Sequence, residues 1–213
     1  YYNSSLPTVA INFPREHWAW GHTLYIDSLV NELRKLKCNV LPVFSHWNRD
    51  RERNIPGFEN NFLELAFLKG AFIPQVLINC LWFSLTVGWD IEDKDLLQKL
   101  NIPILQGEIL LQDVESWESS SYGLNENELQ ANIIMPEFDG VVHGVPLAGQ
   151  KKDGILVTMV PIYDNIKLMA KRAYCWAQLK LKQNKDKRIA LIFHNYPAGN
   201  ATIGTAMGLD SLR

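Results

Sequence analysis

Short apolar runs rich in β-branched residues alternate along the first half of the chain with segments in which apolar residues recur every three or four positions. Such runs are typical of strands buried on both faces of a parallel sheet, and such segments are typical of amphipathic helices. We predict strands at residues 8–13, 39–44, 75–83 and 102–105. Helices are predicted between them, at residues 22–37, 60–70 and 93–100. This order indicates a parallel sheet covered on both faces, because parallel neighbours need right-handed crossover connections.

The middle of the chain is less regular. Asn125 is followed three positions later by Glu128, a capping-box pattern that predicts a helix beginning there and ending at Met135-Pro136. Residues 138–146 indicate a turn and a fifth strand, and residues 150–154 indicate an exposed loop or hairpin tip.

A long helix is predicted at residues 161–183, where apolar residues lie on or near one face. We therefore predict an α/β fold with a doubly wound, mostly parallel sheet, flavodoxin-like or Rossmann-like, in residues 1–154. A linking helical segment is expected in residues 155–185. Residues 186–213 are expected to begin a second α/β region with its first βα unit.

The second region rests on a charged segment at 185–188, an apolar run at 189–193, and then His194 and Asn195. An open α/β sheet places its ligand at the carboxyl ends of its strands, so both residues are ligand-binding candidates. The alternative is that they hold this loop against a neighbouring domain. Because the chain stops soon after this predicted strand, we expect it to be part of a longer protein.

Composition narrows the function classes. The chain has 21 basic and 23 acidic residues spread along its length. The sequence therefore predicts no basic surface of the kind that binds nucleic acid or a membrane. No apolar run approaches the roughly 20 residues of a membrane span. Cys38, Cys80 and Cys175 are odd in number and lie in apolar contexts, which predicts buried thiols in a reducing cytoplasm. We expect a cytoplasmic protein with no nucleic-acid partner and no membrane span.

Several common catalytic motifs are missing from the sequence. It contains neither GxxxxGK[ST] nor GxGxxG, so we expect no nucleotide cofactor bound by this chain. It also lacks HExxH and GxSxG, which removes support for a zinc protease or an α/β-hydrolase.

An ordered series of short motifs resembles the large subunit of class I tetrapyrrole chelatases, which includes CobN-type cobaltochelatase and the magnesium chelatase H subunit. The series is His17-Trp18 with Gly21, Tyr25 and Asp27; NVLPVF; VLINCLWFSL; PILQ; Trp117-Glu118 with Ser120 and Gly123-Leu124; MPEFDG; and KRIALIFHNYP with GLD. Each motif alone is weak, but their order and spacing together are specific.

The resemblance implies ATP-dependent insertion of Co²⁺ or Mg²⁺ into a corrin or porphyrin ring, a ligase reaction that forms nitrogen–metal bonds. It implies three partners: the tetrapyrrole substrate, separate AAA+ ATPase subunits that hydrolyse the ATP, and the rest of the same large subunit. The family's His-Gly…Glu-Trp/Phe-x-Pro-Gly-Lys segment, associated with metal insertion, is absent from this sequence. We therefore expect this chain alone to be inactive.

Nine residues are candidates for ligand binding: His17, Trp18, Trp20, His22, Glu118, Glu137, Asp139, His194 and Asn195. Flat indoles suit the face of a macrocycle. Carboxylates and histidines can accept the two pyrrole N–H protons and can ligate a hard ion. No residue is assigned a catalytic role, and no metal site is assigned.

Each candidate also has a structural interpretation. The two tryptophans could cap the core beneath their loop, and the three carboxylates could belong to ordinary surface turns. His17 and His22 are five positions apart and would diverge on a regular helix, so a metal site, a contact with the ring, and simple structural hydrogen bonding all stay open.

Three functions of different classes remain. The chain could shape the tetrapyrrole cleft of a chelatase large subunit. It could instead be a structural or docking module of that subunit. It could also be an independent flavodoxin-like or periplasmic-binding-like domain that binds a small ligand such as a nucleotide or sugar at its strand ends.

Overall fold

The structure is a computed structural model that describes residues 2–46, 50, 52–55, 57–58, 62, 66–68, 71–86, 96–190, 192–193, 195, 199, 203, 205–206 and 209–210. The chain divides into two compact units, Tyr1–Leu181 and Lys182–Arg213. The finer division into 1–154, 155–185 and 186–213 stays a prediction.

A six-stranded sheet forms the first unit. Its strands are β1 (Thr8–Pro14), β2 (Asn39–Ser45), β5 (Val76–Asn79), β6 (Ile104–Asp113), β7 (Val142–Asp153) and β8 (Leu156–Pro161), and a separate hairpin contains β3 (Phe67–Leu68) and β4 (Ala71–Phe72). The strand order is β2-β1-β5-β6-β7-β8, and every neighbouring pair is parallel except β7 and β8. The predicted mostly parallel α/β fold is confirmed.

Helices flank this sheet. They are α1 (Arg15–Ala19), α2 (Leu24–Lys35), α3 (Leu96–Leu100), α4 (Val114–Ser119), α5 (Glu126–Leu129), α6 (Met135–Glu137) and α7 (Tyr163–Leu181). One apolar cluster joins Ile11 of β1 to Leu29 of α2 and Met169 of α7. A second cluster packs Ala10 with Phe58 and Phe62. Because successive residues of β1 enter different clusters, the central strand is buried on both faces, as its uninterrupted apolar run predicted.

Two central strands differ in length from their predictions. The strand predicted at 75–83 ends at Asn79, because the Asn79 side chain turns the chain by accepting a hydrogen bond from the Leu81 N–H at 3.3 Å. The strand predicted at 102–105 continues instead to Asp113, since β7 supplies hydrogen-bonding partners along that extension.

The sheet's last strand was missed. β8 pairs antiparallel with β7, so residues 150–153 are strand and only the hairpin tip near Gly154 is a turn. β8 escaped prediction because it is an edge strand whose first three residues are exposed, which hides the buried pattern of a parallel strand.

The predicted helices are confirmed with shorter bounds at 22–37 and 161–183, where α2 and α7 form. Leu96–Leu100 is helical, while residues 93–95 lie outside the described residues. The helix predicted at 60–70 is wrong at its end, because Phe67–Leu68 pairs with Ala71–Phe72 as a hairpin. Most of that segment lies outside the described residues.

The capping box at Asn125 is confirmed. The Asn125 side chain accepts from the Glu128 N–H, and the Glu128 carboxylate accepts from the Asn125 N–H. The helical run ends at Glu137, one residue beyond the predicted end at Met135-Pro136, but it is not one regular α-helix. The chain continues through a π-helical turn, Gln130–Ile134, into α6, where Pro136 occupies a first-turn position that requires no N–H donor.

The second unit contains a two-residue antiparallel pair, β9 (Thr205–Ala206) with β10 (Leu209–Asp210). The strand predicted at 189–193 is not formed at any of its described residues, and Ile189 and Ile192 are exposed. An apolar run becomes a strand only when a neighbouring strand satisfies its backbone groups, and no described residue pairs with this one.

Two further expectations concern membrane spans and thiols. Among the described helices, none has the length and apolar character to cross a bilayer.

The thiols of Cys38 and Cys80 are buried, and burial raises the pKa of Cys38 to about 11. Cys175 is exposed, so the prediction of a third buried thiol is wrong. Its neighbours in sequence are apolar, but it lies on the outer side of α7.

Candidate functional site

A buried ladder of polar side chains crosses four strands, near the carboxyl ends of β1, β2 and β5 and near the amino end of β6. The Ser45 hydroxyl donates to Asn12 Oδ1 at 2.7 Å, and Asn12 Nδ2 donates to Asn79 Oδ1 at 3.1 Å. Asn79 Nδ2 then donates to Gln106 Oε1 at 3.2 Å. Because each side chain of the ladder is bonded to the next, the ladder links β2, β1, β5 and β6 just below the loops that follow the first three of them.

An exposed aromatic surface lies at that carboxyl edge. Trp18 of α1 stacks on Phe44 of β2, with ring centroids 5.0 Å apart and planes 18° from parallel. Both rings remain open to solvent, at 58% and 40% exposure. Trp20 is 68% exposed and meets His22 edge to face at 6.1 Å. We call the stacked pair of Trp18 and Phe44 the aromatic shelf.

His17 belongs to the core beneath the shelf. Its Nδ1 lies 2.9 Å from the Tyr25 hydroxyl, and its side chain is buried. Burial, with a smaller contribution from nearby His22, lowers the pKa of His17 to about 4, so this ring is neutral near pH 7. The bond to Tyr25 supports the structural interpretation of His17.

The described residues contain no group of three or more His, Cys, Asp or Glu side chains that could hold a metal ion. The ring centroids of His17 and His22 are 6.3 Å apart. His17 already has a partner in Tyr25, so the structure gives no support to a two-histidine metal site.

A carboxylate that the sequence analysis missed borders the shelf. Glu16 Oε1 lies 3.6 Å from His46 Nε2, and this contact joins α1 to the end of β2. Glu16 Oε2 is buried and has no hydrogen-bond partner among the described residues. The available signal was position alone, since Glu16 directly precedes the His17-Trp18 motif in the segment after β1, which forms α1.

Asp139 is a structural anchor. Its carboxylate accepts hydrogen bonds from the Ser84 hydroxyl at 2.9 Å, from the Thr86 hydroxyl at 2.7 Å and from the Leu85 N–H. These bonds hold the loop after β5 against the turn after α6. Glu137, two residues earlier, is exposed on α6. Neither carboxylate is brought to the aromatic shelf by a described contact.

Glu118 lines a different cavity, of about 600 Å³, between the residues after β6 and the start of α7. Trp117 and Tyr163 contribute its aromatic lining. In the strand order, β1 and β5 separate β2 from β6, so this cavity and the shelf occupy different parts of the sheet.

The two remaining candidates belong to the second unit. His194 lies outside the described residues. Asn195 is exposed, forms a bridge with Ile203 and accepts from the Gly199 N–H at 3.3 Å.

A buried carboxyl on β6 titrates near neutral pH. Glu108 is 4% exposed, and burial raises its pKa to about 7, with opposing effects from Arg172 and Glu128. Between about pH 4.5 and 7 the folded protein therefore keeps a proton that the unfolded chain loses. Stability contributed by this group is present at low pH and is lost as pH rises through 7.

Glu108→Gln should remove this dependence. From about pH 5 to about pH 8 we expect the wild type to lose about 2 to 3 kcal/mol of unfolding free energy relative to the variant. Urea unfolding of both proteins at several pH values measures the difference between their unfolding free energies. His17 titrates in both proteins, so its contribution cancels in this difference. Parallel pH profiles for the two proteins would contradict the assignment.

Comparison with known proteins identifies relatives of the whole chain. Residues 1–213 match the family model described as CobN/Magnesium Chelatase. An uncharacterised protein of Methanocaldococcus jannaschii is 35% identical, over 96% of this chain and 17% of its own length. The aerobic cobaltochelatase protein CobN of a Sinorhizobium species is 26% identical, over 96% of this chain and 16% of its own length.

A solved structure shares the fold. The catalytic subunit of cobaltochelatase from Mycobacterium tuberculosis superposes with a TM-score of 0.76 at 24% identity, covering 97% of this chain and 17% of that one. The chain therefore spans no more than 17% of the length of these three proteins.

Proposed function

The chain belongs to the CobN/magnesium chelatase family, and from that premise we propose that it forms part of the large, tetrapyrrole-binding subunit of a metal chelatase. The proposed reaction inserts Co²⁺ or Mg²⁺, as substrate, into a corrin or porphyrin ring. ATP hydrolysis is assigned to separate AAA+ subunits, and the cytoplasm is the proposed location. Within this subunit, we propose that the chain binds one face of the ring.

The aromatic shelf is the observation that carries this assignment. A tetrapyrrole is a flat, largely apolar ring, and it is bound well by aromatic side chains that stack on its face. Trp18 and Phe44 already lie nearly parallel, and the polar ladder and α1 hold them at the edge where α/β sheets bind ligands. A stacked pair left this exposed has apolar area to bury against such a ring.

Two other functions were open from the sequence. A docking module would contact the ATPase subunits or the rest of the large subunit without binding the ring, and this is the outcome against which ring binding is tested. Family membership argues against the third function, an independent nucleotide- or sugar-binding domain.

Ring binding is tested by titrating the chain with uroporphyrin and, separately, with a cobyrinate-type corrin. The seven tryptophans report binding through quenching, and the shift of the main porphyrin absorption band reports it independently of tryptophan. Saturable changes in both signals support the proposal. Absence of any change with both rings, in protein shown to be folded, would favour the docking module.

Trp18→Ala should weaken porphyrin binding about tenfold or more, because the variant loses the exposed face of the Trp18–Phe44 stack. The matched control is Trp176→Ala, which removes a partly exposed tryptophan from α7 and leaves the same number of reporters. Absorption titrations of the three proteins give the dissociation constants. Equal weakening in both variants would remove the shelf from the assignment.

A further inference from the structure

Glu16 stands beside the aromatic shelf with an unused hydrogen-bond acceptor. We propose that Glu16, supported by His46, accepts hydrogen bonds from the pyrrole N–H groups of a metal-free ring that lies on the aromatic shelf. Glu16 is then the group by which this site distinguishes the metal-free substrate ring from the metal-containing product. This inference rests on the proposed function.

The first support is the state of the Glu16 carboxylate. Among the described residues, Glu16 Oε2 is the buried side-chain polar atom that lacks a hydrogen-bond partner. A buried acceptor without a donor destabilises the folded protein, so buried polar atoms in native proteins are nearly always paired. A ligand that brings an N–H donor to this carboxylate would relieve this destabilisation.

The second support is the position of Glu16. Two contacts join α1 to the end of β2: the Glu16–His46 pair and the Trp18–Phe44 stack. Glu16 lies two residues before Trp18 in α1, and His46 lies two residues after Phe44 at the end of β2. The carboxylate therefore borders the surface on which the ring is proposed to lie. The Glu16 side chain is 27% exposed, and rotation of the carboxylate about its terminal bond exchanges its two oxygens.

The third support is that neighbouring polar groups are already engaged. His17 Nδ1 is in contact with the Tyr25 hydroxyl, and the Ser45 hydroxyl donates to Asn12. Burial lowers the pKa of His17 to about 4, so its ring is neutral near pH 7. His17 therefore supplies no positive charge to pair with Glu16. Among the buried side-chain polar atoms of the described residues, the acceptor left without a partner is therefore Glu16 Oε2.

The chemistry of the ring supplies the matching donors. A metal-free tetrapyrrole of the porphyrin type carries two pyrrole N–H groups at its centre, and metal insertion exchanges these two protons for one divalent ion. Overall, M²⁺ and the neutral metal-free ring, which carries two N–H protons, give the metal complex and two H⁺. A carboxylate can accept from an N–H and then take the proton, and adjacent His46 can pass it on. The metal complex offers no N–H, so it loses this interaction.

The test compares metal-free uroporphyrin with its copper(II) complex, which has no pyrrole N–H and little tendency to take an axial ligand. We expect the wild-type chain to bind the metal-free ring about tenfold more tightly. Glu16→Gln should remove most of this preference, because a neutral amide oxygen accepts a hydrogen bond much more weakly than a carboxylate and cannot take up the proton. Glu126→Gln, which changes an exposed glutamate of α5 outside every candidate site, should keep the preference. Thermal unfolding confirms that the variants are folded.

The outcomes separate the two proposals. Binding of both rings with equal affinity by the wild type, or a preference that survives in Glu16→Gln, overturns the role of Glu16 while leaving the shelf in place. A preference lost only in Glu16→Gln, with Trp18→Ala weakening both rings alike, supports it. No binding of either ring by the wild type overturns the shelf and the role of Glu16 together.

Discussion

Gly144→Ala is expected to lower the free energy of unfolding by about 3 kcal/mol or more. A Cβ at this position would lie 1.4 Å from the backbone oxygen of Gln106 and 2.8 Å from Met169 Cε. The Met169 side chain can move, but the Gln106 carbonyl belongs to β6 and cannot move without breaking the sheet. Between Leu105 and Gly107 the register of β6 with β7 shifts, so Gly144 lies at an irregularity where the two backbones approach closely.

Gly154→Ala is the matched control, because Gly154 lies on the same hairpin with nothing within 4 Å of the added Cβ. Its φ of +61° makes the alanine cost about 1 to 2 kcal/mol through backbone strain alone. Urea unfolding of both variants should rank Gly144→Ala as clearly the less stable. Similar stabilities would show that β6 and β7 do not approach as described.

Glu128→Ala should cost about 3 to 5 kcal/mol, the second large effect. The Glu128 carboxylate is fully buried and accepts from the Leu111 N–H at 2.6 Å, the Gln112 N–H at 3.0 Å, the Gln112 side chain at 2.6 Å and the Asn125 N–H at 3.1 Å. Truncation leaves three partly buried backbone N–H groups without this acceptor, and it leaves the Gln112 side chain only its bond to the Gly123 carbonyl at 3.3 Å.

Glu126→Ala serves as the control for this variant, since Glu126 is an exposed glutamate in the first turn of the same helix. It should change stability by less than about 1 kcal/mol, the usual size of an exposed charge near a helix N-terminus. Thermal and urea unfolding measure both variants. A loss in Glu128→Ala no larger than that in Glu126→Ala would refute the buried carboxylate cluster.

Both large effects concern contacts between β6 and its surroundings, and the length of this strand was underestimated from the sequence. The run at 102–105 predicted a short strand, whereas β6 reaches Asp113 because β7 and Glu128 supply partners for its backbone. Local pattern could not show those partners, because they come from residues 16 or more positions away. The capping box at Asn125 was predicted correctly, since all of its atoms lie within four consecutive residues.

The candidate site shows the same division. Trp18 and Trp20 were candidates from their place after the first strand, and the structure exposes both at the sheet edge. Asp139 was a candidate on the same kind of argument, yet it anchors a loop 53 to 55 residues away in sequence. Glu16 was absent from the candidates, because an unpaired carboxylate oxygen is visible only when the neighbouring donors have been placed.

The sequence by itself determined the α/β class, the parallel strands β1, β2, β5 and β6, and the family, because apolar periodicity, caps and ordered motifs are properties of consecutive residues. The tertiary structure alone decided the antiparallel edge strand β8, the pairing of Trp18 with Phe44 and the isolation of Glu16 Oε2 among the described residues. These depend on which distant backbones and side chains meet at one edge of the sheet. That meeting follows from the packing of the whole unit, to which each local pattern contributes only part of the free energy.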